Sequence, residues 1–313
     1  MRALLELVRA PAALSVPGDT MAGAAAAGRR PAPGLALASV LMYWSGMALN
    51  DWSDREADAV ERPERPIPSG RVRPGAALGL AAALTGAGLA TAALAGGRRG
   101  LTVAGLLAGA VWAYDLGLKR TAAGPASMAA CRVLDVLLGA GDQARAAVPA
   151  ALAIGAHTYG ISVLGRAEVA GAERGTAERA LVASAAAAGL AAAACVRDRA
   201  ASCAHDRAAS CAHDRAASCS RDQAASCSRD RAAARAGAGV LIAGYLAFTL
   251  PVQAGLRTRP EPENVRQAVR LGILGLIPLQ AAAIAGGGRV ATAGALLCSL
   301  PLGKWLSSRL ATS

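Results

Sequence analysis

Apolar residues in this chain run in long blocks broken by short polar bursts, near 4–27, 34–50, 74–95, 100–114, 124–142, 147–165, 178–195, 237–256, 267–285 and 290–308. The blocks are rich in Ala, Leu, Gly and Val and are about as long as a bilayer-crossing helix, which needs roughly 17 to 25 residues. Helices that are apolar all round, without a polar face, are what a membrane interior demands. The pattern therefore predicts an all-α, polytopic membrane protein of nine or ten helices. A soluble, alanine-rich helical protein is the alternative, because alanine is only weakly apolar and several blocks are short.

One segment breaks the pattern. Residues 196–235 carry an eight-residue repeat whose units begin at Cys195, Cys203, Cys211, Cys219 and Cys227, and which has no apolar stripe. Two units place a histidine, His205 or His213, two positions after the cysteine. Structural zinc sites use cysteines about two to four apart, whereas these recur every eight, so a metal tract is not the reading. Near-identical units without solenoid length point to an expanded low-complexity loop. The chain thus divides into a first membrane part, 1–195, the repeat loop, 196–235, and a second membrane part, 236–313.

Composition agrees with the membrane reading: 54% of residues are hydrophobic, 17% charged and 3% aromatic. The net charge of +12 could suggest nucleic acid, but it lies in the polar bursts. If the helices alternate in direction, one face (the N-terminus, 51–73, 115–123, 166–179, 257–270 and the C-terminus) holds 18 Lys/Arg and the other 6, outside the repeat. Basic loops mark the cytoplasmic side. The 8 arginines of the repeat fall on the opposite side and work against that bias. The basic excess fits anionic lipid and a phosphorylated ligand, and nucleic acid is not expected as a partner. No cleavable leader is expected, since Glu6 and Arg9 interrupt the first apolar block.

Chemistry concentrates at Asn50-Asp51-Trp52-Ser53-Asp54-Arg55-Glu56-Ala57-Asp58, which runs on to Arg62 and Arg65. Asp51, Asp54 and Asp58 stand at i, i+3 and i+7, one face of a helix, at the end of an apolar block. Carboxylate oxygens suit Mg²⁺, which takes its remaining ligands from water and substrate phosphates. Arginines beside them would grip the same phosphates through forked hydrogen bonds.

This run resembles the first aspartate-rich motif of the UbiA superfamily of membrane prenyltransferases. Tyr114-Asp115-x-x-Leu118-Lys119 is similar to the Tyr-x-x-x-Lys region of the next loop on that face, and Leu7-Val8-Arg9-Ala10-Pro11 to the opening helix. The wording around Asp51 and the later Arg166-x-Glu168-Val169-x-Gly171 resemble the EboC-like branch found in bacteria. The resemblance implies a bundle of about nine transmembrane helices in the bacterial cytoplasmic membrane, with a central cavity open to the cytoplasm. It implies Mg²⁺-dependent transfer of an isoprenyl group from an allylic diphosphate to an aromatic or lipid-like acceptor. Asp51, Asp54 and Asp58 would bind the metal, Asn50 would orient them, and Arg62, Arg65 and Lys119 would hold diphosphate, with Tyr114 and Tyr159 at the substrate.

The later region departs from the family. Where a second aspartate-rich motif is usual, residues 165–174 contain no aspartate, leaving Glu168 as an oxygen ligand and Arg166 as a replacement for metal charge on the phosphate. A branch that no longer transfers prenyl groups, and instead binds a polyprenyl lipid or assists export of a small molecule, is the second hypothesis. A soluble aspartate-rich isoprenyl synthase is a third.

Other residues are read from their placement. Tyr43, Trp44, Trp52, Trp112, Tyr114 and Tyr159 cluster towards the motif's face, where rings would stabilise an allylic cation or simply mark the interface. Arg132 and Asp135, three apart within an apolar block, are expected to pair and face the interior. His157 is expected to bridge helices more readily than to act as a base.

Overall fold

The computed structural model describes residues 2–9, 13, 16–212 and 221–298, and the side chains of these except Arg2 and 196–231. Among the described residues all regular structure is helical: α1 (Arg2–Leu7), α2 (Pro17–Ala26), α3 (Pro33–Ser53), α4 (Arg55–Glu61), α5 (Pro74–Leu116), α6 (Gly124–Ala140), α7 (Ala144–Gly165), α8 (Arg174–Ala212), α9 (Arg221–Gly255) and α10 (Pro262–Gly286). Proline opens α2, α3, α5, α6 and α10 in the first turn, where its fixed φ suits a helix and its missing N–H costs nothing.

Five stretches are long and apolar enough to cross a membrane: Pro74–Leu116, Gly124–Gly165, Arg174–Cys195, Ala232–Gly255 and Pro262–Gly286. The first, at 43 residues, is a hairpin of two antiparallel helices. Its turn is Gly97, at φ 61° and ψ −154°, a conformation closed to residues with a Cβ. Antiparallel arms bring Trp112 back beside Thr85, to whose hydroxyl its indole N–H donates at 3.1 Å. The second contains α6 and α7, which meet at Gly141 with φ 56°. These hairpins match the separate apolar blocks read from the sequence. The molecule is an all-α integral membrane protein.

Two expectations need correction. The block 4–27 does not form one crossing helix: α1 ends at Leu7, Arg9 adopts φ 47°, and α2 is a ten-residue helix. At about 1.5 Å per residue α2 is too short to span, and it is instead buried against α6, α7 and α10. Its approach to α6 needs glycine on both sides, since a methyl at Gly23 would strike the Val136 carbonyl and one at Gly139 the Thr20 backbone. The second correction concerns the octapeptide repeat, expected as a loop. Its backbone continues α8 to Ala212 and opens α9 at Arg221, consistent with the helix propensity of its alanines. His213 and Cys219 lie outside the described residues, as does the end of the block 290–308.

The loops sort into two faces as alternation requires. On one, Lys119 bonds Asp54, Arg166 donates to the Thr121 carbonyl, Arg266 to the Glu168 carbonyl, and the Ala172 N–H to the Pro260 carbonyl. On the other, Asp142 pairs with Arg29 and Arg99.

Candidate active site

α3 delivers Asn50 and Asp51 at its last turn, and α4 begins directly after Asp54. The backbone hydrogen bonds continue across the junction, Asp54 N–H to the Asn50 carbonyl and Asp58 N–H to the Asp54 carbonyl. Asp54 itself has ψ near 3°, so the ladder bends there. The three aspartates consequently divide between two chains of contacts.

In the first chain Arg65 donates to Asp58 at 2.6 Å and reaches Asp51 at 3.5 Å, while Arg9 donates to the same Asp51 oxygen at 3.2 Å. In the second, Lys119 donates to Asp54 at 2.8 Å and lies 3.7 Å from Asp115, and Asn50 donates its amide to Asp115 at 3.0 Å. Arg120 also reaches Asp54, at 3.3 Å. Asp51, Asp58 and Asp115 are buried, so these charges rest on their basic partners and little on water. Arg71 forks onto Glu6 and fastens α1 over the loop that follows the motif; this bond raises the Arg71 guanidinium above its ordinary pKa.

Asn50, Asp115 and Arg9 also line a cavity of about 470 Å³ within the bundle. Its walls are mainly apolar, with Met42, Met47, Leu107, Val111, Met128, Ile161, Ile273 and Leu276, and it carries the rings of Tyr43 and Tyr114. Further along the wall are Ser39, Cys131, Arg132, Asp135, His157 and Thr158. The charged mouth and the apolar chamber are therefore continuous through Asn50 and Asp115.

The other expected residues fall in different places. Arg62 is exposed and enters neither contact chain among the described residues. Arg166 is exposed but tied to Thr121, just past Lys119 and Arg120, so it belongs to the same face. Glu168 sits in the loop packed against 257–262, and neither it nor Tyr159 lines the chamber. Of the aromatic set, Tyr43 and Tyr114 meet the cavity, Trp112 is spent on Thr85, and Trp52 stacks under the Arg55 guanidinium at 4.9 Å. Arg132 and Asp135 do not pair: Arg132 reaches Asp19 at 2.5 Å, and Asp135 accepts from Ser39 at 2.6 Å. The tertiary partner on α2 prevails over the local one. His157 bridges helices, its ring nitrogens each 2.9 Å from the Tyr245 hydroxyl and the Gly272 carbonyl.

Sequence reading missed Asp115 and Arg9 as participants. Asp115 carried a signal, standing four residues before Lys119 at the end of an apolar block. Arg9 carried one too, as a cation just beyond the first short helix. Asp19 was invisible, a lone carboxylate in an alanine-rich stretch.

The donor set at the mouth suits Mg²⁺: four carboxylates, with neither sulfur nor imidazole among them. Among the described residues no three acidic, histidine or cysteine groups converge on one point, because Arg65 and Lys119 stand between them. The same cations have the chemistry that a diphosphate recruits.

The UbiA prenyltransferase family model matches residues 18–176. The digeranylgeranylglyceryl phosphate synthase of Methanopyrus kandleri is 42% identical over 130 residues, 39% of this chain and 45% of that protein. The bacteriochlorophyll synthase 33 kDa chain of Cereibacter sphaeroides is 41% identical over 103 residues, 31% of this chain and 33% of that one. The protoheme IX farnesyltransferase of Roseobacter denitrificans is 42% identical over 98 residues, 28% and 30% of the two chains. These matches span less than half the length of each relative. A UbiA homologue from Aeropyrum pernix K1 shares the fold over 87% of this chain and 96% of its own, with a TM-score of 0.59 at 17% identity. Because the family model matches half of the chain and takes in both the aspartate run and the Tyr114–Lys119 region, the chain belongs to the UbiA prenyltransferase family.

Proposed function

We propose that this protein is a Mg²⁺-dependent prenyltransferase that moves an isoprenyl group from an allylic diphosphate to an acceptor held in the membrane cavity. The observation carrying this reading is the junction of the two regions. Carboxylates interleaved with Arg9, Arg65, Lys119 and Arg120 stand at the mouth of a mainly apolar chamber, linked to it through Asn50 and Asp115. An isoprenyl diphosphate has the same division, a highly charged head on an apolar tail.

Asp51, Asp54, Asp58 and Asp115 would hold the metal, which when bound supplies positive charge to the departing diphosphate. The chain's own contribution is to exchange partners. Lys119 and Arg65 leave carboxylates for phosphate oxygens, so the charge that develops on the leaving group meets cations already in place. Asn50 orients Asp115 by its amide bond. The apolar wall keeps water from the allylic cation, and the Tyr43 and Tyr114 rings face the space where it forms. Arg166, tied to the loop carrying Lys119, is the residue of the later loop best placed to add charge on the phosphate side. The mouth faces the cytoplasm in this reading, and the branch is the EboC-like one.

The test is pyrophosphate release by the purified full chain in nanodiscs, given geranylgeranyl diphosphate, Mg²⁺ and a panel of aromatic and lipid alcohols. Release that requires both Mg²⁺ and one class of acceptor is the expected result. A protein that binds the diphosphate and never releases pyrophosphate favours the second reading, a membrane component that carries polyprenyl lipid. The separation of the carboxylates by basic side chains is the observation on that side.

A further inference from the structure

The turns of two transmembrane hairpins, Gly97 within α5 and Gly141 between α6 and α7, lie on the face opposite the mouth, beside the connection from α2 to α3. Asp142 ties the three segments together, 3.5 Å from Arg29 and 3.8 Å from Arg99. Gly141 lets Arg29 close over its turn, since a Cβ there would come within 2.6 Å of Nη1. The charges of this face do not balance. Segments 27–33, 97–100 and 141–145 carry Arg29, Arg30, Arg98, Arg99 and Arg145 against the single carboxylate of Asp142, whereas 51–73 at the mouth sets six acids against five arginines. Asp142 is 73% exposed and its two ion pairs are long, so it does little to neutralise Arg29 and Arg99. Arg30, Arg98 and Arg145 are exposed, with neither an ion pair nor a side-chain hydrogen bond among the described residues. Arg145 stands in the first turn of α7, where the helix dipole favours an anion over a cation. Apolar surface adjoins these cations: Leu94 and Leu101 bracket Arg98 and Arg99 in sequence, Val148 and Leu152 follow Arg145, and all four are exposed.

We propose that this arginine cluster is a binding site for the phosphodiester headgroup of an anionic phospholipid in the leaflet opposite the mouth. The guanidinium fork matches the two non-bridging oxygens of a phosphodiester. Arg29 and Arg99 each spend one nitrogen on Asp142 and keep further N–H donors for such a group. Position selects a lipid over a soluble anion. The arginines follow directly on the turns of membrane-crossing hairpins, at the level of the headgroups, and the exposed leucines and valine beside them offer acyl chains a surface on the membrane side. The site shares no residue with the mouth, so it stands whether or not the transferase reading does.

The experiment titrates the full chain in a non-ionic detergent with phosphatidylglycerol or phosphatidylcholine of identical acyl chains, and reads bound lipid by native mass spectrometry. At least about tenfold tighter binding of phosphatidylglycerol is expected, the scale of a few arginines each attracting an anionic headgroup. Arg30→Gln, Arg98→Gln and Arg145→Gln together remove three exposed cations that no described residue pairs with, and should abolish most of the preference. A control variant, Arg73→Gln with Arg174→Gln and Arg259→Gln, takes the same charge from exposed positions on the mouth face and should keep it. Glycerophosphoglycerol, the headgroup without its chains, should not displace the lipid at equal concentration. Equal binding of the two lipids by the wild type overturns the proposal. So does a preference that survives the first variant, one that the control variant loses to the same extent, or displacement by the free headgroup, which would make the site one for a soluble phosphate.

Discussion

The mouth and the inner wall of the cavity both set aspartates against arginines, yet they are built for different purposes. At the mouth the partners are shared and plural: Asp51 lies against both Arg9 and Arg65, and Asp54 against both Lys119 and Arg120. Several of these bonds are long, 3.2 to 3.5 Å, and Arg9 is 41% exposed. The longer contacts are the weaker ones, while Arg65 to Asp58 and Lys119 to Asp54, at 2.6 and 2.8 Å, are held more firmly. Inside, Asp19 is fully enclosed and held at 2.5 and 2.6 Å by one arginine and one glutamine. That contact has no water to fall back on, so it fixes geometry where the mouth permits exchange.

The comparison predicts its largest effect inside. Arg132→Ala should destabilise the protein by about 3–5 kcal/mol, the cost of leaving a buried carboxylate without its cation. Thermal unfolding in detergent measures it. Adding Asp19→Asn should recover much of the loss, and a double variant as unstable as the single one would mean that Arg132 acts through packing.

A smaller structural effect with a larger functional one is expected at Asp115. Asp115→Asn keeps shape but removes the charge facing Lys119, so stability should fall by only about 1–2 kcal/mol. Mg²⁺-dependent diphosphate binding should weaken by roughly tenfold or more, if a charged contact of that size is lost. Thermal unfolding in detergent checks the first part, and titration of the variant with a non-reactive diphosphate the second.

The difference between the regions also explains what could be read in the chain. Three aspartates at i, i+3 and i+7, beside arginines and at the end of an apolar block, could be read in the sequence as a cluster, but not their division between the Arg65 and Lys119 contacts where the helix bends at Asp54. Asp115 and Lys119 come from the second arm of α5 and the turn after it, and join the motif only through the fold, 65 residues away. The inner pair was not legible. Arg132 and Asp135 sit at a favourable local spacing, but Arg132 takes Asp19, 113 residues distant, because α2 is packed into the bundle at that depth. Seven of the hydrophobic blocks fall within the five long apolar stretches, 34–50 does not, and 4–27 failed because hydropathy cannot distinguish a spanning helix from a short one enclosed by protein.

Two weaker perturbations bound the account. Arg71→Ala removes an exposed fork to Glu6, and should leave global stability nearly unchanged. Its effect should appear as faster proteolysis at α1, with little change in melting temperature. Smaller still, joining Cys195 to Gly237 through a short Gly/Ser linker should leave insertion and diphosphate binding intact, since among the described side chains those of the mouth and the cavity wall all come from outside the repeat. Loss of binding in a variant that inserts normally would make the repeat part of the site.

The central claim is that the mouth carboxylates bind a diphosphate together with Mg²⁺. Calorimetric titration of the full chain in nanodiscs with geranylgeranyl thiodiphosphate, with and without Mg²⁺, measures this directly. The account predicts tight binding only with Mg²⁺, reduced at least about a hundredfold in a folded Asp54→Asn variant, which is about 2.7 kcal/mol. Equal affinity with and without the metal, or an unaltered affinity in Asp54→Asn, would contradict it.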